Sequence, residues 1–253
     1  EPEATGIVAV VLVTVAALIA SRLYTGAWER AREIPQAFAL AGLAYLPPIA
    51  LEGVPVVVAW VATAIVLTVA RDRLGEIGDA APLYLGLAAA HTIAVEAQPT
   101  GLREGVDDLA AATLAIALTG GGAAALARLR QWRPDIRQAL ELLFAVAAVY
   151  LPSIAIVDVT ATEGAGQTPQ VLLSSFWGLT GLAALVYGLV RDNKRVRLGG
   201  LALLGLALVK VAFYDLAALE EIYRVLSFIA LGLLLLAGAF AYQRIRHTVG
   251  GRE

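Results

Sequence analysis

The chain alternates between long apolar stretches and short polar joints, and this alternation sets the expected architecture. A helix needs about 17–25 apolar residues to cross a ~30 Å hydrocarbon core. Nine stretches approach or meet that length: roughly 5–23, 35–51, 54–70, 80–95, 109–127, 138–157, 170–190, 198–214 and 223–243. The second and fourth are short. The runs are continuous rather than alternating apolar and polar residue by residue, so they predict helices and not barrel strands. The expected fold is an all-α, polytopic membrane bundle of about nine transmembrane helices.

The charged joints give the bundle a direction. Arg22, Arg30 and Arg32 follow the first span, and Arg71 and Arg73 the third. Arg128, Arg130, Arg133 and Arg137 follow the fifth; Arg191, Lys194, Arg195 and Arg197 follow the seventh; Arg244, Arg246 and Arg252 follow the ninth. Sixteen of the 19 basic residues thus fall on one side, leaving Arg103 and Arg224 opposite and Lys210 inside a span. Basic loops stay in the cytoplasm, which predicts an outside N-terminus and a cytoplasmic C-terminus in an inner (cytoplasmic) membrane.

Composition narrows the class further. The chain is 59% hydrophobic and only 16% charged, with a mean hydropathy of +0.76, more apolar surface than one soluble core can hide. Its net charge of -2 gives no basic footprint, so nucleic acid is not expected as a partner. Cysteine is absent and His91 and His247 are the two histidines, which excludes disulfides, thiolate chemistry and a histidine-rich metal site. No cofactor or metal is expected. The chain has no methionine, and Glu1-Pro2-Glu3-Ala4 has no basic n-region or cleavage signal. With an outside N-terminus, this reads as part of a longer polypeptide with an upstream span, a processed product or an engineered form.

A phrase is written twice. Leu85-Gly86-Leu87-Ala88 leads to His91 and Glu96; Leu204-Gly205-Leu206-Ala207 leads to Lys210 and Asp215, 119 positions on. Tyr45-Leu46-Pro47 likewise matches Tyr150-Leu151-Pro152, Arg71-Asp72 matches Arg191-Asp192, and Arg128-Leu129-Arg130 matches Arg244-Ile245-Arg246. The matches keep their order, and the polar loop 158–170 accounts for the change of offset between the first pair and the rest. Each copy holds four spans, an even number, so the copies share an orientation as parallel repeats. The expected organisation is an N-terminal helix (1–26), two four-helix repeats (27–130 and 131–246) and a cytoplasmic tail (247–253).

Ionisable residues at membrane depth mark candidate sites. Lys210 stands ~20 Å into its span at 1.5 Å per residue, and Cβ atoms tilt toward the helix N-terminus, so reaching the outer face is awkward and a partner is expected. Glu96, Asp107, Asp108, Glu220 and Glu221 are candidate partners on other elements. On a straight α-helix, five residues turn through ~140°. His91–Glu96 and Lys210–Asp215 are therefore not expected to pair directly, and each pair is read as contributing toward neighbouring helices. The competing reading of Lys210 is a helix-locking pair, and that of His91 a packing residue. Asp107 is the expected N-cap of the fifth span, and Glu141 is expected to pair with Arg137 one turn back. Pro47, Pro48 and Pro152 remove backbone donors from their helices. Gly120-Gly121-Gly122 allows close helix approach or bending.

The last fifty residues carry a denser pattern: Lys210-Val-Ala-Phe-Tyr-Asp215, Leu219, Tyr223-Arg224-Val-Leu-Ser227-Phe228, Leu231-Gly232 and Tyr242-Gln-Arg244. This resembles the C-terminal signature of a bacterial family of large predicted membrane proteins, domain of unknown function 2339. The resemblance implies a membrane fold and a C-terminal portion of a longer chain, but no activity. It singles out Lys210, Asp215, Arg224 and Ser227.

Three functions compete. The leading one is a transport or substrate-binding membrane module, whose outward-facing polar pocket uses Lys210, Asp215, Arg224 and Ser227 with His91, Glu96 and Asp108. The others are a structural or assembly module of a larger envelope complex, and an intramembrane enzyme acting on a lipid-linked or envelope substrate. No reaction motif names catalytic residues. The expected partners are the lipid bilayer and either other membrane subunits or an upstream part of the same polypeptide.

Overall fold

The computed structural model describes residues 2–23, 31–161 and 167–215, with the isolated positions 229 and 232. Among these residues all regular structure is helical and no strand occurs. The long helices are α1 (Pro2–Leu23), α2 (Glu33–Ala50), α3 (Val54–Val69), α4 (Ala81–His91), α5 (Leu109–Leu129), α6 (Pro134–Thr160), α7 (Thr168–Val190) and α8 (Lys194–Lys210). The first eight expected spans fall on these eight helices in order; the ninth, 223–243, lies outside the described residues. Four helical stretches are long and apolar enough to cross a membrane: α5, α6, α7 and the stretch Lys194–Phe213 containing α8. The stretches Gly6–Ser21 and Val54–Val69 are apolar but shorter.

Local chemistry explains where the helices begin. Proline occupies one of the first two positions of α3, α4, α6 and α7, where a missing N–H costs nothing. Asp108 caps α5 by accepting from the Ala111 N–H at 2.9 Å, so the expected cap is displaced by one residue from Asp107. Asn193 caps α8 through the Arg195 and Val196 N–H groups at 3.1 and 3.3 Å.

The chain divides into two compact units, Glu1–Gly164 and Ala165–Glu253. In the first, α1 packs on α2, α3 lies against α4 and α5, and α6 packs on α5. Its core is built from Val56, Val57, Trp60 and Ala64 of α3, Tyr84 and Leu85 of α4, and Leu126 of α5. The glycine triplet works as expected on two faces. A Cβ on Gly120 would stand 2.7 Å from Ala147 Cβ of α6, and one on Gly122 would stand 3.0 Å from both Leu85 and Val61. In the second unit, α7 and α8 form a hairpin whose backbones meet at Gly181, Gly188 and Gly200.

Apolar side chains such as Val66, Leu83, Leu142, Leu179 and Phe213 point outward. Buried or half-buried hydroxyls close on the carbonyl one turn back, as in Thr14 to Val10, Thr68 to Ala64, Thr92 to Ala88 and Ser153 to Val149. Apolar side chains outside and internally satisfied hydroxyls suit a surrounding of lipid, which offers no hydrogen bonds.

Candidate functional site

Both copies of the doubled phrase end in the same local structure. Helix α4 stops at His91 and continues as a π-helical turn, Thr92–Glu96; α8 stops at Lys210 and continues as a π-helical turn, Val211–Asp215. The Ala97 N–H donates to the Thr92 carbonyl at 2.7 Å, the i→i+5 bond of a π turn. The two turns occupy equivalent positions to the residue.

This geometry corrects the expectation that His91 and Glu96 face apart. A π turn stacks residue i+5 over residue i, and His91 Nε2 lies 3.7 Å from Glu96 Oε1. The side chains are 17% and 8% exposed, so the carboxyl is more than nine-tenths buried. At 3.7 Å the contact is too long for a hydrogen bond, and neither atom has a hydrogen-bond partner among the described residues. The His91 ring also stands edge-on to Trp60, with centroids 5.7 Å apart and planes at 78°. Gly53, at φ +66°, turns the α2–α3 loop beside Glu96; a Cβ there would lie 3.5 Å from Oε1.

Neighbouring bonds fix this end of the first unit. Thr92 Oγ1 and Thr119 Oγ1 share a buried hydrogen bond of 3.1 Å between the π turn and α5. The Tyr150 hydroxyl of α6 donates to the Ala97 carbonyl at 2.6 Å. Asp158 accepts from the Val106 N–H at 3.0 Å, beside Gly105 at φ +84°. Together Tyr150 and Asp158 pin both ends of the 97–106 segment to α6. Asp108, placed in the candidate site by its charge, is an exposed helix cap.

In the second unit Lys210 Nζ donates to the Ser174 hydroxyl at 2.8 Å and to the Gln170 carbonyl at 3.1 Å, both on α7. Both of these acceptors are neutral and stand one helical turn apart. Asp215 closes the π turn by its backbone. The Asp215 side chain, Arg224 and Ser227 lie outside the described residues, as do Glu220 and Glu221.

Sequence reasoning missed Ser174, Gln170, Trp60 and Asp158. A serine inside an apolar run gives no signal beyond helical spacing, and Asp158 reads as the start of a polar loop. Elsewhere, Arg137 and Glu141 pair at 2.9 Å as expected. An apolar groove of about 340 Å³ between α1 and α2 is lined by residues including Val10, Val13, Phe38 and Tyr45. Among the described residues, no group of three or more potential metal ligands occurs.

At the opposite end of the first unit, Asp79 accepts from Arg71 Nε at 2.9 Å and from Arg130 Nη1 at 2.8 Å. The Arg71 hydrogen bond, supported by that of Arg130, holds the Asp79 carboxyl below the usual carboxylate range against the opposing effect of burial. Arg130 also lies over the Trp132 ring, 4.7 Å from its centroid.

The family described as predicted membrane protein (DUF2339) matches residues 2–245. The chain belongs to this family. The match covers nearly the whole sequence, well beyond the last fifty residues that carried the resemblance. Neither the curated proteins nor the solved structures compared with this DUF2339 member give a match.

Proposed function

We propose that this DUF2339 protein is a multi-pass module of the inner membrane, nine-spanning and built on two parallel four-helix repeats after an N-terminal helix. In this reading it binds or transports a small polar solute through outward-facing polar sites, one in each unit. The observation that carries it is the pair of π turns after His91 and Lys210, because such turns widen a helix at a cost in hydrogen-bond geometry and concentrate at functional sites. Their equal register also supports the duplication. The bilayer surrounds the module, and other membrane subunits or an upstream part of the polypeptide would join it.

The absence of cysteine makes a direct test possible. Single cysteines at Glu52 and Thr168 report orientation, and one at Ser174 reports the site. A small membrane-impermeant thiosulfonate added outside cells is expected to modify all three. Reaction at Glu52 and Thr168 without reaction at Ser174 would show a dry, closed interior and sink the site reading. Lys210→Ala should then remove solute binding while leaving protein abundance normal.

A second reading is favoured by one observation. The two bonds from Lys210 to α7 tie the α7–α8 hairpin, as a structural or assembly module requires. Loss of abundance in Lys210→Ala would support it.

A further inference from the structure

We propose that His91 and Glu96 together hold one exchangeable proton, making the first unit's site a proton-binding site. The inference rests on the proposed outward-facing sites, and it names the ion that one of them takes. Buried polar side chains on the same helices are closed by hydrogen bonds, whereas Glu96 Oε1 and His91 Nε2 face each other across 3.7 Å without one. An isolated buried carboxylate costs several kcal/mol, and one added proton makes the pair neutral overall. The proton sits on His91 Nε2, giving an imidazolium beside a carboxylate, or on Glu96, giving two neutral groups.

Among the described residues of the first unit, no other charge competes within reach. The elements packed on the π turn are α3, α4 and α5. Helix α3 has no titratable side chain, and α5 has none before Arg128 near its far end. Tyr84 of α4 is committed to the Leu40 carbonyl at 2.5 Å. Glu52, on the loop beside Gly53, is exposed, and Asp108 is occupied as a cap. Among the described residues of the first unit, the pair is therefore an isolated couple. Because the contact is longer than a hydrogen bond, the proton is not locked in place, and a modest rotation of either side chain would release it.

The π turn makes this arrangement possible. Restoring α-helical register would carry Glu96 away from His91 by ~100°, the rotation of one residue. Proton binding favours the π form and proton loss favours separation.

The test uses full-length protein in phospholipid nanodiscs. Labelling with ¹⁵N-histidine gives signals from His91 and His247, assigned with His247→Gln. At neutral pH the expected result is an imidazolium at His91 that is lost in Glu96→Gln. A neutral His91 accompanied by a protonated-carboxyl infrared band that is lost in Glu96→Gln supports the proposal equally. A neutral His91 without such a band overturns it, as does an imidazolium that persists in Glu96→Gln. Should that variant fail to fold, wild-type protein labelled with ¹⁵N-histidine and ¹³Cδ-glutamate decides: dipolar coupling between Nε2 and a carboxyl carbon is expected, and its absence overturns the pairing. These readouts need no solute, so failure of the cysteine-accessibility test with success here would remove the solute-site reading and leave the proton site standing.

Discussion

Trp60 donates its indole N–H to the Ala44 carbonyl at 3.0 Å. That carbonyl would accept from residue 48 in an ordinary helix, and residue 48 is a proline. The side chain of α3 therefore replaces a main-chain donor that α2 lacks. The proline and the tryptophan form one unit of local structure drawn from two helices.

Trp60→Phe should leave the Ala44 carbonyl without a donor and lower stability by ~1–3 kcal/mol. In a Pro48→Ala background the restored N–H supplies the bond, and the same substitution should cost markedly less. Thermal unfolding of the four proteins of this double-mutant cycle in nanodiscs measures the coupling. Equal costs in both backgrounds would refute the replacement.

Gly200→Ala tests the α7–α8 hairpin. The new Cβ would stand 2.5 Å from the Leu185 main-chain nitrogen and 2.8 Å from the Gly181 carbonyl oxygen, neither of which can move without parting the helices. A loss of ~1–3 kcal/mol is expected from overpacking. Gly199→Ala, with open space around it, should be neutral or gain up to ~1 kcal/mol from helix propensity. The Tm difference between these adjacent variants is the measurement.

Much of this arrangement was legible in the sequence. The apolar runs located the eight long helices among the described residues, and the doubled phrase marked the last α-helical residue before each π turn. The Arg137–Glu141 pair and the close approach at Gly120 and Gly122 followed from helical spacing. The π turns did not. Residues five apart point away from each other in an α-helix, and the choice of register depends on tertiary contacts such as Thr92 with Thr119 and Tyr150 with Ala97. Lys210 was sought among carboxylates because burial of a charge suggests an opposite one; its bonds to a hydroxyl and a backbone carbonyl of α7 carry no such signal in the sequence.

Asp158→Ala should free the 97–106 segment, since Val106 loses its acceptor and Gly105 its neighbour. Faster cleavage near Arg103 by trypsin added to spheroplasts is the expected result. An unchanged cleavage rate would mean that the Tyr150 bond alone holds the segment. Adding Tyr150→Phe should accelerate cleavage further, at ~1 kcal/mol for the hydrogen bond removed.

Asp79 gives a pH dependence at the arginine-rich end. Its carboxyl is held below its ordinary range in the folded protein, chiefly by Arg71. The stabilisation is therefore present above the unfolded-state value and is lost as pH falls through the lower folded one. Acid should lower Tm less in Asp79→Asn than in wild type across that window, with the two proteins differing most near neutrality. Because the partners are partly solvent-exposed, added salt should shrink the difference.

A π turn is an α-helix with one residue too many. On the proposed duplication, the matching turns after His91 and Lys210 date that extra residue to the ancestral unit, before it was copied. On the same reading the insertion survived in both descendants, while the basic residue before it is histidine in one and lysine in the other and the acid after it glutamate in one and aspartate in the other. Inheritance of that kind would have kept the extra residue and varied the chemistry mounted beside it.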